Sequence, residues 1–378
     1  MKQVLYTPQG IWKFYHDSQK GICYYGPGNT TPNLLYEKGS SDFDTACDEK
    51  GNLFLICQDD KNNIHLFCHD RMKWTGQCVM ESKSVVPYDK DFRLFCTNEW
   101  VHAFYTIRHD GKFLLAHHFL NENPKPEIIE TREYPLCYTA IEDSKQNIHL
   151  FYEKNGLQQK TFYWQNKSWS DALMLTEISG DLIALQGVFD EDDRLHLVYC
   201  KRNKQEYAVC YINQKETTTI ASGLKNNPTP IILKEDAYHI LFRNAGRLLQ
   251  CSTLHPENRF PAPQFFYPGS FSAHSLFRVK SSTPLARQRI FANTLYGLES
   301  RPDKFEPTVI GDKIKKLDFT LPEKITEKPD DIELYKQEVS DFTPQTSQNN
   351  SIDVFQKLAE LESRISTLEN QTKQKEGL

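Results

Sequence analysis

No run of apolar residues approaches the roughly 18 that a membrane-spanning helix needs, so membrane insertion is not expected. The 378 residues include 45 basic and 50 acidic ones, for a net charge of -5. The chain therefore lacks the basic excess that neutralises a phosphate backbone, and nucleic acid is not an expected partner. CxxC is missing as well. The ten cysteines (Cys23, Cys47, Cys57, Cys68, Cys78, Cys96, Cys137, Cys200, Cys210, Cys251) are spread singly, which signals neither a zinc site nor a redox motif. Most lie in apolar strand-like runs such as LFLIC and HLVYC, where a free thiol packs as a small hydrophobe. The opening MKQVLYTPQGIWKFYHD mixes polar and apolar residues too finely for a secretory leader, so cytoplasmic residence is expected.

What the chain does contain is a repeat. The strings IWKFY (11–15), LFLIC (53–57), VHAFY (101–105), IHLFY (148–152), LHLVY (195–199) and YHILF (238–242) share one pattern, broken only by Lys13: apolar, variable, apolar, apolar, aromatic or thiol. Their starts lie 42, 48, 47, 47 and 43 residues apart, and a weaker, more polar copy begins at Leu285. Acidic turns precede the strings (TACDEKGN, TAIEDSKQN, GVFDEDDR), and turns such as Asp110-Gly111 and Asn155-Gly156 follow them. Four short antiparallel strands per unit, repeated about seven times, predict a propeller. Several strands are apolar on both sides, so each sheet needs a neighbour on each face, and a closed ring provides two for all of them.

The unit DSKQNIHLFYEKNGLQQKTFYWQNKSWSDALML, residues 143–175, resembles the blades of sialidase-like propellers and of related propeller lectins. In those blades a strand of the form N-I-H-h-h-Y leads through a turn and a strand of mixed polarity to a W-S-x closing strand. Residues 194–220 and 99–131 resemble it more loosely. The chain has no S-x-D-x-G-x-x-W Asp-box, and seven units is one more than the sialidases use. The resemblance thus implies an architecture for residues 1–311 and no particular activity.

One histidine recurs at the same place in four copies: His102, His149, His196 and His239. A ring of imidazoles at an axis would suit an anionic ligand. Neighbouring sheets stand about 10 Å apart, however, and metal chelation needs approach to about 2 Å, so no metal or other cofactor is expected. The plainer reading is a hydrogen-bonded packing residue carried by repetition. Adjacent strand residues face opposite ways, which disposes of Cys68-His69-Asp70 as a catalytic trio and of His117-His118 as a ligand pair. Trp12, Trp100, Trp164 and Trp169 are candidate sugar-stacking platforms, although ordinary packing explains them equally. No residue is assigned a catalytic role.

Beyond Gly311 the hairpin signals stop. Residues 312–350 are charged, carry Pro322, Pro329 and Pro344, and read as an extended linker. Residues 351–378 carry a heptad seam of Val354, Leu358, Leu361, Ile365 and Leu368, within which Arg364 and Glu369 complete an R-h-x-x-h-E pattern typical of short trimeric coiled coils. The expectation is an all-β, seven-bladed β-propeller of four-stranded antiparallel blades on a C-terminal α-helical coiled coil. Such a molecule would be a homo-oligomer, with a trimer favoured, that binds protein or glycan through multivalency. The rival readings are a sialidase-like carbohydrate-active enzyme and a structural subunit of a larger assembly.

Overall fold

The computed structural model describes residues 2–316 apart from 85, 99, 121–124, 214–215, 257–258, 266–273, 282–290, 302–303 and 311–313. The chain divides into a compact unit, Met1–Glu323, and a second unit, Lys324–Leu378. The coiled-coil residues Val354 to Glu369, the linker beyond residue 316 and the weak repeat copy at Leu285 lie outside the described residues. Among the described residues there are strands and no α-helix.

Six sheets arise from the repeats. The first contains β1 (Lys2–Thr7), β2 (Gly10–Asp17), β3 (Gly21–Tyr25) and β4 (Asn33–Tyr36). The second contains β5 (Gly39–Cys47), β6 (Leu53–Asp59), β7 (Ile64–His69) and β8 (Trp74–Met80). The third contains β9 (Arg93–Thr97), β10 (Trp100–His109), β11 (Lys112–Phe119) and β12 (Glu127–Arg132). The fourth is built from β13 (Tyr138–Glu142), β14 (Ile148–Glu153), β15 (Leu157–Tyr163), β16 (Ser168–Trp169) and β17 (Leu173–Thr176). The fifth contains β18 (Asp181–Phe189), β19 (Leu195–Asn203), β20 (Glu206–Asn213) and β21 (Thr217–Leu224). The sixth contains β22 (Ile231–Lys234), β23 (Tyr238–Asn244), β24 (Arg247–Thr253) and β25 (Gln264–Phe265). The last strands, β26 (His274–Ser281), β27 (Thr294–Arg301), β28 (Lys304–Ile310) and β29 (Ile314–Lys316), belong to the first sheet.

The turn chemistry explains the hairpins. Asp110-Gly111 and Ala245-Gly246 each hold two consecutive positive φ angles, 49° and 75° and then 51° and 76°. That is the two-residue turn whose twist matches the flanking strands, and it sets the registers His109↔Lys112 and Asn244↔Arg247.

The seven-bladed expectation is overturned. The seventh unit forms no sheet of its own, because β26 pairs in parallel with β1 through Gln3↔Arg278, Val4↔Val279, Leu5↔Lys280 and Tyr6↔Ser281. First and last units thus merge into one eight-stranded sheet, and the propeller has six blades. The cores agree: six buried apolar clusters fill six seams, each between two successive sheets, and the last joins Ile231, Leu233 and Leu241 of the sixth sheet to Val4, Phe277, Val279 and Leu295 of the first. The strands are two-sided as expected. Ala103 and Tyr105 pack toward the second sheet while Phe104 packs toward the fourth.

Charge explains why β26 turns inward. Asp44 on β5 is fully buried; its carboxylate accepts from Lys280 Nζ at 2.5 Å and from the Leu94 backbone N–H at 2.7 Å, with Arg278 Nη1 at 3.3 Å. Arg278 also donates to the Phe92 carbonyl at 2.7 Å and to Asp91 at 3.2 Å. Burial raises the Asp44 pKa, but Lys280 and Arg278 outweigh it and hold the carboxyl below its usual range. Repeat counting finds the apolar strands and cannot see this polar anchor.

Removing one partner of a buried ion pair leaves the other charge stranded. Lys280→Ala should therefore lower unfolding stability by about 3 kcal/mol in urea titration, whereas Asp44→Asn combined with Lys280→Met should recover a substantial part of that loss. Equal losses in the single and double variants would contradict the pairing.

Candidate functional site

The repeated histidines are placed by their hairpins. Asp143 accepts the backbone N–H of Asn147 at 2.8 Å on one oxygen, and on the other the Asn147 amide at 2.9 Å and His149 Nε2 at 3.0 Å. Asp59, Asn63 and His65 repeat this arrangement, with Asp59 to His65 at 3.0 Å. The carboxylate fixes the imidazole with its proton on Nε2, leaving Nδ1 of His149 to accept from Thr161 at 3.1 Å and Gln159 at 3.0 Å. His196 is bound likewise between Asp190 at 3.2 Å and the Tyr211 hydroxyl at 2.7 Å. His239 Nδ1 meets Ser252 at 2.6 Å.

The four histidines do not converge. His102 touches Phe162 in the seam between the third and fourth sheets, His149 touches Phe189 in the next seam, and His196 touches Tyr238 in the one after. Among the described residues no group of three or more His, Cys, Asp or Glu side chains is disposed to hold a metal ion. His117 stacks on Phe104 while His118 meets the Tyr105 hydroxyl at 2.8 Å on the opposite face, as the strand period requires.

Two seams carry the same aromatic construction. Trp12 and His102 occupy one repeat position, and Phe14 and Phe104 another. Tyr24 lies opposite Phe14 as His117 lies opposite Phe104. The following sheet supplies the facing wall: His69 paired with Trp74 in one seam, Phe162 paired with Trp169 in the other. In the first seam Trp12 lies 5.1 Å from His69 and 5.7 Å from Tyr24, and His69 lies 5.0 Å from Trp74 (ring centroids). In the second, His117 lies 4.6 Å from Phe104 and 5.3 Å from Trp169.

Both seams concentrate buried ring nitrogens that have no hydrogen-bond partner among the described residues. They are Trp12 Nε1, His69 Nδ1 and Trp74 Nε1 in the first, and His102 Nε2, His117 Nδ1 and Trp169 Nε1 in the second. An unpaired buried polar group costs about 1–3 kcal/mol, so such clusters call for an explanation. In the equivalent place between the fifth and sixth sheets, His196 has partners on both nitrogens. The two aromatic seams differ in access. His102 and His117 are 1% and 0% exposed, whereas Tyr24, His69 and Trp74 are only half-buried. Trp12, at 9% exposure, packs in the core beneath them, and Trp100 is half-buried under the Lys167 ammonium at 3.8 Å. Burial, partly opposed by Asp70, lowers the His69 pKa, so its imidazole is neutral at pH 7.

Sequence reasoning singled out Trp12, His102 and Trp169 and missed Tyr24, His69, Trp74 and Phe162 as their companions. The missing signal was register: the seam is assembled across strands and across sheets, and only the shared repeat position of Trp12 and His102 was visible.

No protein-family model matches the chain, and no curated protein sequence matches it. Among solved structures, the chain is similar to the lectin BP39L from Burkholderia pseudomallei, with a TM-score of 0.50, 11% identity, and coverage of 83% of this chain and 98% of that one. It is also similar to a fungal lectin of Aleuria aurantia with a six-bladed β-propeller fold (TM-score 0.37, 12% identity, 69% and 94% covered) and to SapL1 lectin in complex with alpha methyl fucoside (TM-score 0.43, 9% identity, 71% and 96% covered). At such identity, the likeness to BP39L is one of fold.

The sealed seam has a pH signature. Burial lowers the His102 pKa to about 3 and that of His117 well below its usual value, while both return to about 6.5 on unfolding. Below pH 6.5 the unfolded chain therefore binds more protons than the folded one, and stability falls with pH by up to about 1.4 kcal/mol per unit for each histidine. Denaturant titrations at pH 7 and 5 should show this loss, with a clearly smaller one in His102→Leu/His117→Leu; an unchanged slope would refute the assignment.

Proposed function

We infer that the chain is a non-catalytic glycan-binding protein whose first ligand site is the seam of Trp12, Tyr24, His69 and Trp74. The observation that carries this reading is the grouping of three half-buried rings, Tyr24, His69 and Trp74, over the buried Trp12, with three buried ring nitrogens that have no partner among the described residues. Aromatic faces stack on the apolar face of a sugar ring, and the rings of Tyr24, His69 and Trp74 are the ones with surface left to offer. Binding sites of this kind set a few polar groups amid apolar walls. The lectin folds among the solved relatives motivate saccharides as the ligand class; the seam chemistry bears the weight.

The sialidase-like alternative needs two carboxylates facing a sugar about 5–9.5 Å apart. The buried acids Asp44 and Asp190 are instead engaged by Lys280, Arg278, Arg194, His196 and Tyr238. That favours binding over hydrolysis. Trp74→Ala should reduce retention on a glycan array at least tenfold while circular dichroism shows the strand content of wild type. Undiminished retention would exclude the seam.

Residues 351–378 supply the second half of the reading, a trimeric stalk that presents three rings at once. Linking sites raises effective concentration and turns weak contacts into avidity. Full-length protein should scatter light as a trimer, and Leu361→Asp/Leu368→Asp should scatter as a monomer with glycan-surface retention reduced by tenfold or more. A monomeric wild type would remove the stalk from the proposal and leave the seam untouched.

A further inference from the structure

A second recess lies at the rim of the third sheet, where Arg132 reaches across to the fourth. It is a cleft of about 340 Å³ lined by Lys112, Thr131, Arg132, Glu133 and Tyr134, at the lower end of the range that small-molecule sites occupy. The fold assembles it from two strand ends. Lys112 opens β11 directly after the Asp110-Gly111 turn, and Thr131 and Arg132 close β12, held beside β11 by the pairs Phe113↔Arg132 and Leu114↔Thr131.

Arg132 is built in rather than loose. Its Nη2 donates to the Glu153 carbonyl of the fourth sheet at 2.6 Å, and its side chain is 15% exposed. Its Nε is buried and has no hydrogen bond among the described residues: the Glu130 carboxylate stands 4.0 Å away and is already bound by Lys154 at 2.8 Å. The guanidinium lies 5.4 Å from the centre of the Tyr134 ring, which is 46% exposed. Lys112 is exposed at the same recess.

We propose that this cleft binds a small ring compound carrying one carboxylate, of the uronic-acid class, with the carboxylate between Lys112 and Arg132 and the ring against Tyr134. Two cations and the single acid Glu133 give the lining a net charge of +1, which matches a monoanion and disfavours a phosphate dianion beside Glu133. A planar carboxylate also fits the fork of a guanidinium already fixed by Glu153. The site is independent of the seam, and neither proposal needs the other.

Isothermal titration of the full-length protein with glucuronate, glucose and inorganic phosphate tests it. Glucuronate should bind in the millimolar range, with glucose and phosphate at least tenfold weaker. Lys112→Gln and Tyr134→Ala alter exposed side chains and should each weaken glucuronate at least fivefold without lowering the melting temperature; Arg132→Gln should abolish binding. Trp74→Ala should leave glucuronate affinity unchanged, which separates this cleft from the seam. The proposal fails if glucuronate does not bind, if glucose or phosphate binds as well, or if the Lys112 and Tyr134 variants retain wild-type affinity.

Discussion

Each sheet in this molecule is apolar on both faces, and that single constraint organises the rest. A sheet with Ala103 and Tyr105 on one side and Phe104 on the other cannot end a stack, because its outer face would stay in water. Every sheet must have two neighbours, and a ring satisfies all of them without a cap. Six seams, each filled by its own buried cluster, are the outcome.

A polar cluster stands beside the apolar seams. Asp44 on β5 and Asp91, just before β9, are neutralised by Arg93 and by Arg278 and Lys280 of β26. Burial and the neighbouring Asp143 push the Glu142 pKa up to about 8, against the pull of Lys280, so this inner-strand acid holds its proton at neutral pH. Apolar seams thus hold the sheets side by side, while ion pairs tie β26 to the second and third sheets.

Much of this was legible in the sequence, and what escaped has a physical reason. IWKFY, VHAFY and their kin gave away the repeated strand, and Asp-Gly and Asn-Gly gave away its hairpins, because both signals are local. The number of sheets is not local. It depends on whether the inner edge of β1 meets another strand, and the residues deciding that, Asp44 and Lys280, lie far apart in the chain. The candidate seam was half visible for a similar reason: Trp12 and His102 share a repeat position, but Tyr24 and Trp74 join them only through cross-strand register and the packing of the next sheet.

The parallel pairing of β1 with β26 also fixes an order of events during synthesis. The inner edge of the first strand acquires its partner only after residue 281 has been made, so the nascent chain carries an open strand edge through most of translation. Closure joins segments at opposite ends of the described chain, the kind of contact whose loop entropy must be met before any return, and which slows folding. A polypeptide assembled this way depends on its ribosome-bound intermediates staying apart from one another, and a premature stop anywhere before β26 would release a ring that cannot shut.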